Sequence, residues 1–277
     1  MASDANPLTD LVRGHTPVLP PRWIQNVPRL EDDVLESFRS FLLPDISDAV
    51  GSLYTMSPRL RPLYTPIERL VGRALTVKAP PGDSATVHGA LSVCQPGDVL
   101  VIDWRGHVDS CAGGAGMLIG PIRQGLAGVV VDGAWRDVPD LQALNFPIFG
   151  RGTCSVSRAK SQLGEINVPI SCGGVVVNAG DLIVADREGI VVVPQSEVIP
   201  VREHLHRRSL EGQARQDQNA SVLAMRADDR VLALADHLEE RSRHYRGGQQ
   251  ANESRSSIFA RVFAAAGGVA MDWDESR

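Results

Sequence analysis

The stretch Gly113–Asp137 constrains the fold more than any other part of the chain. A glycine cluster, GGAG, opens a segment predicted to be helical that ends near Gly125. The continuous apolar run Val129–Val131 predicts a buried strand, which ends in Asp132-Gly133 and is followed by Arg136-Asp137. Ligands of α/β proteins bind at the loops that follow the carboxyl ends of such strands. The stretch therefore predicts a site for a small anionic ligand, with or without a metal ion.

Strands and helices interleave through residues 70–145, and strands cluster again up to residue 194. A strand is expected at 70–79, with Gly72 at a bend or bulge, and the residues 104–114 are expected to form a loop. The apolar runs within 173–194 are continuous, which is typical of strands that are covered on both faces. This pattern predicts a layered α/β sandwich with helices outside.

Composition divides the chain into three parts. Several prolines make a helix improbable in residues 1–30, which we interpret as an extended arm. Residues 31–217 are predicted to form the main domain, with a short helix capped by Asp45 or Ser47 near its start. Residues 218–277 contain two amphipathic pieces joined by a Gly/Gln/Ser-rich link, and they are predicted to form a helical C-terminal extension.

Charge and cysteine content exclude several classes of function. The net charge of -5 and the pI of about 5.8 give no electrostatic reason to expect a nucleic acid or an anionic membrane as a partner. The four cysteines form no CxxC pair, so we expect reduced, buried thiols. The N-terminal residues lack an apolar signal region, and no apolar run reaches the length of a membrane span, which predicts a cytoplasmic protein.

The two ends of the central stretch carry the candidate binding groups. The glycines within 113–116 either permit close packing or leave the N–H groups of 114–117 free to bind a carboxylate or phosphate. Arg136 can hold a carboxylate through two parallel hydrogen bonds, and Asp137 can bind a hard divalent cation such as Mg²⁺. Adjacent opposite charges are otherwise typical of a surface ion pair.

The stretch GAGMLIGPIRQGLAGVVVDGAWRDVPDL resembles the signature of the RraA-like family. Further blocks at 45–51, 69–79, 95–103 and 168–194 are similar to the family's other blocks and occur in the same order, so the resemblance covers roughly residues 35–215. The family includes divalent-metal-dependent 4-hydroxy-4-methyl-2-oxoglutarate (HMG) aldolases, related oxaloacetate decarboxylases and the RraA regulators of RNA degradation. The resemblance implies a layered α-β-β-α sandwich and a trimeric or hexameric homo-oligomer with sites between subunits.

The resemblance also implies a role for each matching residue. The family's substrate-binding arginine falls on Arg136, and its metal-binding aspartate falls on Asp137, with Mg²⁺ or Mn²⁺ as the cofactor. A catalytic glutamate that a neighbouring subunit contributes to support metal-bound water falls on Glu211, although Glu203 is also close to the family's position. The substrate-binding backbone segment falls on Gly114, Ala115, Gly116 and Met117.

One position departs from the aldolases. The residue after the first glycine of the signature is usually acidic in them, whereas this chain has Ala115, which cannot carry a proton. Asp103, His107 or Asp109 in the preceding loop can take that role, but each can equally be a structural polar residue. His88 is expected near the site at best. Retro-aldol cleavage needs a base and decarboxylation of oxaloacetate does not, so Ala115 favours decarboxylation.

The resemblance thus implies a metal-dependent lyase that cleaves a C–C bond of a 2-oxo acid through a pyruvate enolate. It leaves open an HMG-type aldolase, an oxaloacetate decarboxylase or both. One alternative is a non-catalytic regulatory binding protein, and another is an enzyme of the same scaffold that acts on a different oxo or hydroxy acid. The Arg136-Asp137 pair favours an enzyme, because the regulators generally lack the full pair.

Overall fold

The structure, a computed structural model, describes residues 20–223 of the chain. The chain divides into two compact units, Met1–Leu210 and Glu211–Arg277, and every described strand lies in the first. Residues 1–19 of the predicted arm and most of the predicted C-terminal extension lie outside the described residues. No helix within residues 20–223 has both the length and the apolar character needed to cross a bilayer.

A nine-stranded sheet forms the centre of the first unit. Four consecutive strands in its main order pair in parallel, as expected for strands that alternate with helices along the chain. Its strands are β1 (Arg61–Pro62), β2 (Leu70–Lys78), β3 (Asp98–Cys111), β4 (Gly128–Trp135), β5 (Ile148–Gly150), β6 (Gly152–Thr153), β7 (Glu165–Ile166), β10 (Leu182–Asp186) and β11 (Gly189–Val193). Their order is β1-β5-β4-β3-β2-β10-β11, with β6 beside β4 and β7 beside β2.

A separate antiparallel hairpin, six α-helices and three short 3-10 turns complete the described part of the chain. The hairpin consists of β8 (Ile170–Cys172) and β9 (Val175–Val177). The helices are α1 (Asp32–Ser37), α2 (Leu43–Val50), α3 (Ala85–Leu91), α4 (Ile119–Arg123), α5 (Val138–Ala143) and α6 (Val198–Leu223).

Alternation along β2 shows how the layers are arranged, because successive side chains of a strand point to opposite faces. Val71 packs with α1, α2 and the start of α6, and Leu75 packs on the same face with α3 and α5. Leu70 and Ala74 point to the opposite face, where they pack with the β8–β9 hairpin. The helices therefore cover one face of the sheet and the hairpin covers part of the other, so the predicted layered α/β fold is confirmed.

Strand β3 is longer than the sequence predicts. Residues 104–114 are predicted to form a loop, but β3 continues to Cys111. Its register against β4 shifts between Ile102 and His107, and Arg105 there has a positive φ of 55°. The outer part of the strand is largely exposed, so it lacks the apolar pattern that would have revealed it.

Strand β4 also passes through a predicted turn. Asp132-Gly133 is predicted to end this strand, but β4 runs to Trp135. The Asp132 carboxylate is buried. It pairs there with Arg151 and accepts a hydrogen bond from the N–H of Gly173 at 3.0 Å. A side chain at position 133 would meet Trp104 Cδ1 at 2.5 Å. Both residues of the dipeptide therefore serve packing within the sheet.

Three smaller predictions need correction. Gly72 lies within the regular strand β2, where a Cβ would be 2.5 Å from the carbonyl oxygen of Gly97, so close packing explains it better than a bend. Neither Asp45 nor Ser47 caps α2, which begins at Leu43 after an N-cap without a side-chain hydrogen bond. All four cysteines are free thiols, but only Cys111 and Cys172 are buried, and Cys94 and Cys154 are half-buried.

Candidate active site

The ends of β3 and β4 lie side by side, and the glycine segment runs between them. The N–H of Ala112 donates to the carbonyl of Ala134 at 2.8 Å, and the N–H of Arg136 donates to the carbonyl of Gly113 at 3.1 Å. These two bonds hold the segment that follows β3 against the end of β4. The structure therefore brings together the two groups of candidate residues, 114–117 and 136–137, that the sequence places 19 positions or more apart.

Close approach requires glycine at two positions of this segment. A Cβ at Gly113 would lie 2.0 Å from the ring of Trp135, which is fully buried. A Cβ at Gly114 would lie 2.3 Å from Asp137 Oδ2 and 3.1 Å from Arg136 Nε. At Gly116 the added atom would meet nothing within 4 Å. The packing interpretation thus holds for the first two glycines, and the packing partners of Gly114 are the candidate binding side chains themselves.

Three N–H groups of the glycine segment have no hydrogen-bond partner among the described residues. Within the described residues, no hydrogen bond uses the N–H of Gly114, Ala115 or Gly116. The N–H of Met117 is occupied, because it donates to the carbonyl of Gly114 at 3.3 Å. The predicted helix is a 3-10 turn at Ala115–Met117 followed by the five-residue α4, so its dipole is small. Any attraction of this segment for an anion would therefore come from its N–H groups rather than from the helix dipole.

Arg136 and Asp137 face the same place. Asp137 has a left-handed backbone (φ 58°, ψ 33°) at the N-cap of α5, and its carboxylate makes no capping hydrogen bond. Its Oδ2 lies 3.6 Å from Arg136 Nε, and both side chains are partly exposed. Nε of Arg136 is itself buried and has no hydrogen-bond partner within the described residues. A buried N–H without an acceptor is costly, which makes this group a candidate for pairing with an anion.

An open cavity of about 630 Å³ lies over this pair. No cluster of three or more His, Cys, Asp or Glu side chains that could hold a metal occurs within residues 20–223. Such a site does not suit zinc, which usually takes three or four protein ligands. It fits Mg²⁺ or Mn²⁺, because Mg²⁺ commonly takes one or two carboxylates and keeps several waters. The cavity is lined by Arg136, Asp137, Val138, Pro139, Thr153, Cys154 and Ser155.

Two of the three predicted substitutes for an acid at position 115 make local hydrogen bonds. Ala115 is only 5% exposed and belongs to the apolar cluster between the sheet and the helices. Asp103 accepts a hydrogen bond from the N–H of Arg105 at 3.0 Å, and His107 bonds Ser110 Oγ at 3.0 Å. Asp109 is exposed on the outer part of β3. Asp103 and His107 are therefore engaged in local hydrogen bonds, which agrees with the alternative that they are structural polar residues.

His88 and the two candidate glutamates are carried by helices α3 and α6. His88 is on α3, and its Nε2 is buried without a hydrogen-bond partner among the described residues. Glu203 and Glu211 are exposed on α6, and Glu211 belongs to the second compact unit. Because Glu211 is predicted to act in the site of a neighbouring subunit, its role stays a prediction.

Arg158 is a basic residue near the glycine segment that the sequence does not reveal. Its Nη1 donates to Cys111 Sγ at 3.3 Å and its Nη2 donates to Met117 Sδ at 3.4 Å. Cys111 ends β3, and Met117 ends the 3-10 turn that carries the free N–H groups. The loop SVSRAKSQLG has no pattern that would have indicated this contact, which joins residues 41 and 47 positions apart.

A layered α/β fold with this glycine segment beside an Arg-Asp pair defines the class of protein. The chain belongs to the RraA-like family (Aldolase/RraA), whose sequence pattern matches residues 43–192. The predicted family is thus confirmed, over a somewhat shorter stretch than the predicted 35–215.

Individual relatives agree with this assignment. A protein of Halalkalibacterium halodurans, provisionally named a 4-hydroxy-4-methyl-2-oxoglutarate aldolase, is 39% identical over 71% of this chain and 94% of its own. The crystal structure of Streptomyces coelicolor RraAS2, described as an unusual member of the RNase ES inhibitor RraA family, matches with a TM-score of 0.62 and 27% identity. That match covers 69% of this chain and 99% of RraAS2. An uncharacterised Pseudomonas syringae protein matches with a TM-score of 0.61 and 27% identity over 74% of this chain and 100% of its own.

Proposed function

We propose that this protein is a divalent-metal-dependent lyase that cleaves a C–C bond of a 2-oxo acid and releases pyruvate. The observation that carries the proposal is the buried, unpartnered Nε of Arg136 beside the uncapped carboxylate of Asp137. A guanidinium of this kind suits the carboxylate of an acid substrate, and the carboxylate suits a cation. The relatives provisionally named aldolases support the same chemistry.

Asp137 is the residue that would hold Mg²⁺ or Mn²⁺. Its carboxylate is 41% exposed at the cavity, which leaves room for the waters and substrate oxygens that complete the ligand set. When bound, the ion supplies a Lewis acid that polarises the 2-oxo group of the substrate.

Arg136 binds the carboxylate next to the 2-oxo group. The N–H groups of Gly114, Ala115 and Gly116, which have no partner among the described residues, would donate to substrate oxygen. When the bond between C3 and C4 of the substrate breaks, its electron pair moves into the C2–C3 bond. Negative charge then develops on the C2 oxygen. Fixed donors aimed at that oxygen lower the barrier. Protonation at C3 then completes pyruvate.

Oxaloacetate decarboxylation is the reaction that these residues support more fully. Loss of CO₂ from oxaloacetate requires no base, whereas retro-aldol cleavage of HMG requires one to take the hydroxyl proton. Position 115 provides no such group, and its surroundings are apolar. We therefore expect decarboxylation to be faster than HMG cleavage. Glu211 of a second copy of the chain is the candidate for such a base, within the trimeric or hexameric homo-oligomer that the family resemblance implies.

A coupled assay of pyruvate release tests the function. Purified protein with Mg²⁺ or Mn²⁺ is given HMG or oxaloacetate, and pyruvate is followed with lactate dehydrogenase and NADH. The Asp137→Asn variant with the same metal concentration corrects for decarboxylation by the free ion. We expect release from oxaloacetate well above this background. Equal release by the variant would contradict the proposal, and HMG cleavage that equals or exceeds decarboxylation would contradict the role given to Ala115.

A second candidate function is a non-catalytic regulator of RNA processing. The likeness to RraAS2 and the missing acid at position 115 favour it. A regulator would not need Asp137 to bind a metal. Absence of Mg²⁺ or Mn²⁺ binding, together with unaltered behaviour of Asp137→Ala, would favour this candidate over the lyase.

A further inference from the structure

Arg158 is a cation that has no anionic partner within residues 20–223. Its guanidinium contacts two sulfur atoms, Cys111 Sγ and Met117 Sδ, and its Nε is buried and unpartnered within the described residues. No ion pair of Arg158 occurs in the part of the chain that the structure describes. Sulfur is a weak acceptor, and a guanidinium has five N–H donors. A partly buried guanidinium in this state is undersatisfied and can gain a carboxylate ligand.

Arg158 and Arg136 flank the same backbone segment. Arg136 lies against Gly114 at one end, and Arg158 contacts Met117 at the other. Three residues of 3-10 geometry span about 6 Å. The two cations thus lie at the two ends of one short segment, so a ligand that reached both would be a small acid with two carboxylates.

The surroundings of Arg158 are basic. The pKa of His88 is lowered by burial first and then by the positive charges of Lys160 and Arg158. No acidic group contributes to this shift. His88 Nε2 is also buried and unpartnered among the described residues. A second anion would therefore meet a positive potential here.

The loop that carries Arg158 is fixed on both sides of it. The N–H of Cys111 donates to the carbonyl of Val156 at 3.1 Å, and the N–H of Ala159 donates to the carbonyl of Gly82 at 2.8 Å. Asp83, which is 3% exposed, accepts hydrogen bonds from the N–H groups of Ser161 and Gln162 at 2.7 and 2.9 Å. The guanidinium is thus positioned before a ligand arrives, which lowers the cost of binding.

We propose that Arg158 binds the second carboxylate of a dicarboxylic substrate and so selects dicarboxylic over monocarboxylic 2-oxo acids. This inference rests on the proposed function, because it places the first carboxylate at Arg136. It assigns a specificity role to a residue outside the Gly114–Asp137 stretch.

Calorimetric titration in the presence of Mg²⁺ tests the inference without turnover. The probes are 2-oxoglutarate, which has a second carboxylate and neither a 4-hydroxyl nor a β-keto acid group to cleave, and pyruvate, which has one carboxylate. Arg158→Met removes the charge and keeps an unbranched stem against the sulfurs. We expect it to weaken 2-oxoglutarate binding about tenfold or more, since a hydrogen-bonded charge is lost, and to leave pyruvate binding within about twofold. The affinity of Arg158→Lys for 2-oxoglutarate should lie between those of the Met variant and the native protein, because lysine keeps the charge without the planar guanidinium.

Each other outcome has a definite meaning. Unchanged binding of both acids, or equal weakening of both, would overturn the role of Arg158 and leave the lyase standing. Failure of the native protein to bind either acid would overturn the proposed function and the inference with it. If circular dichroism shows that Arg158→Met does not fold, Arg158→Gln replaces it, because glutamine keeps hydrogen-bond donors without the charge. The ratio of its affinities for 2-oxoglutarate and pyruvate then decides. Arg187→Met, at an exposed turn between β10 and β11, is the matched control and should change neither affinity.

Discussion

The Nε of Arg136 lies 3.6 Å from Oδ2 of Asp137, close enough for an ion pair but too far for a hydrogen bond. Opposite charges at neighbouring positions normally close on each other or point to solvent. Here the left-handed backbone of Asp137 and the close approach of Gly114 hold the two side chains side by side. The carboxylate stays available to a cation and the guanidinium to an anion. This separation is the structural basis of the proposed site.

Asp137→Asn should abolish metal binding without unfolding the protein. Asparagine tolerates the left-handed backbone of this position and keeps the shape of the side chain, so the change removes little besides the charge. We expect metal-dependent pyruvate release to fall at least about a hundredfold, because the only proposed carboxylate ligand is lost. Binding of Mn²⁺, followed by electron paramagnetic resonance, measures the loss directly.

Asp140→Asn is the matched control for that experiment. Asp140 is exposed in the first turn of α5, three positions along, and the substitution changes the charge by the same amount. Its Mn²⁺ affinity and pyruvate release should stay close to native. If both variants lose metal equally, general electrostatics rather than a ligand at position 137 explains the binding.

Gly114→Ala should disable the site through a clash. The new Cβ would lie 2.3 Å from Asp137 Oδ2, so the carboxylate has to move. We expect weaker Mn²⁺ binding and a loss of pyruvate release of about tenfold or more, because small displacements of catalytic groups are costly. Gly120→Ala, within α4 where nothing lies within 4 Å, is the control and should keep native activity. Native metal affinity in Gly114→Ala would show that the carboxylate is not held where the structure places it.

The parts of the fold that the sequence predicts are those with a local pattern. Strands are predicted correctly at the apolar run Val129–Val131 and at the continuous apolar runs of β10 and β11. These strands are buried on both faces, which leaves no room for polar residues. The Arg136-Asp137 pair is recognisable because it follows such a strand directly. The outer half of β3 and the passage of β4 through Asp132-Gly133 escape this reasoning, since their pairing depends on partners far along the chain.

Arg158 shows the same limit at the candidate site. Its contacts are with Cys111 and Met117, more than 40 residues earlier, and they involve sulfur atoms that no motif marks. The close approach of Gly114 to Asp137 is likewise a tertiary contact, although the glycine cluster itself signals that a side chain is excluded. The local sequence thus predicts the Arg136-Asp137 pair, whereas only the folded chain reveals Arg158.

The stability of the loop that carries Arg158 should depend on pH through Asp83. Burial acts to raise the pKa of Asp83, but hydrogen bonds from the N–H groups of Ala85, Ser161 and Gln162 outweigh it and lower the pKa. A carboxyl whose folded pKa is lowered contributes stability that is complete above its unfolded pKa and is lost as pH falls through the folded value. The native protein should therefore lose this contribution below about pH 4.

Thermal unfolding of Asp83→Asn across pH measures that contribution. At neutral pH the variant should be about 1 to 3 kcal/mol less stable, since charge-assisted bonds in a buried position are weakened. The difference from native protein should shrink as the pH falls below about 4, where the native carboxylate is protonated as well. Asp33→Asn, exposed on α1, is the control. A difference that stays constant with pH would contradict the role of the charge.

Ala115→Asp should shift the reaction towards HMG cleavage. A carboxylate at this position supplies the base that retro-aldol cleavage needs and that oxaloacetate decarboxylation does not. The position is 5% exposed within an apolar cluster, so burial would raise the pKa of the new carboxyl and destabilise the protein by about 1 to 3 kcal/mol. We expect HMG cleavage, measured as pyruvate release with Mg²⁺, to rise about tenfold or more relative to decarboxylation. Ala115→Asn, which is equally polar but cannot take up a proton, should destabilise the protein similarly without the gain. An unchanged ratio of the two reactions in Ala115→Asp would show that the missing acid does not limit aldol cleavage.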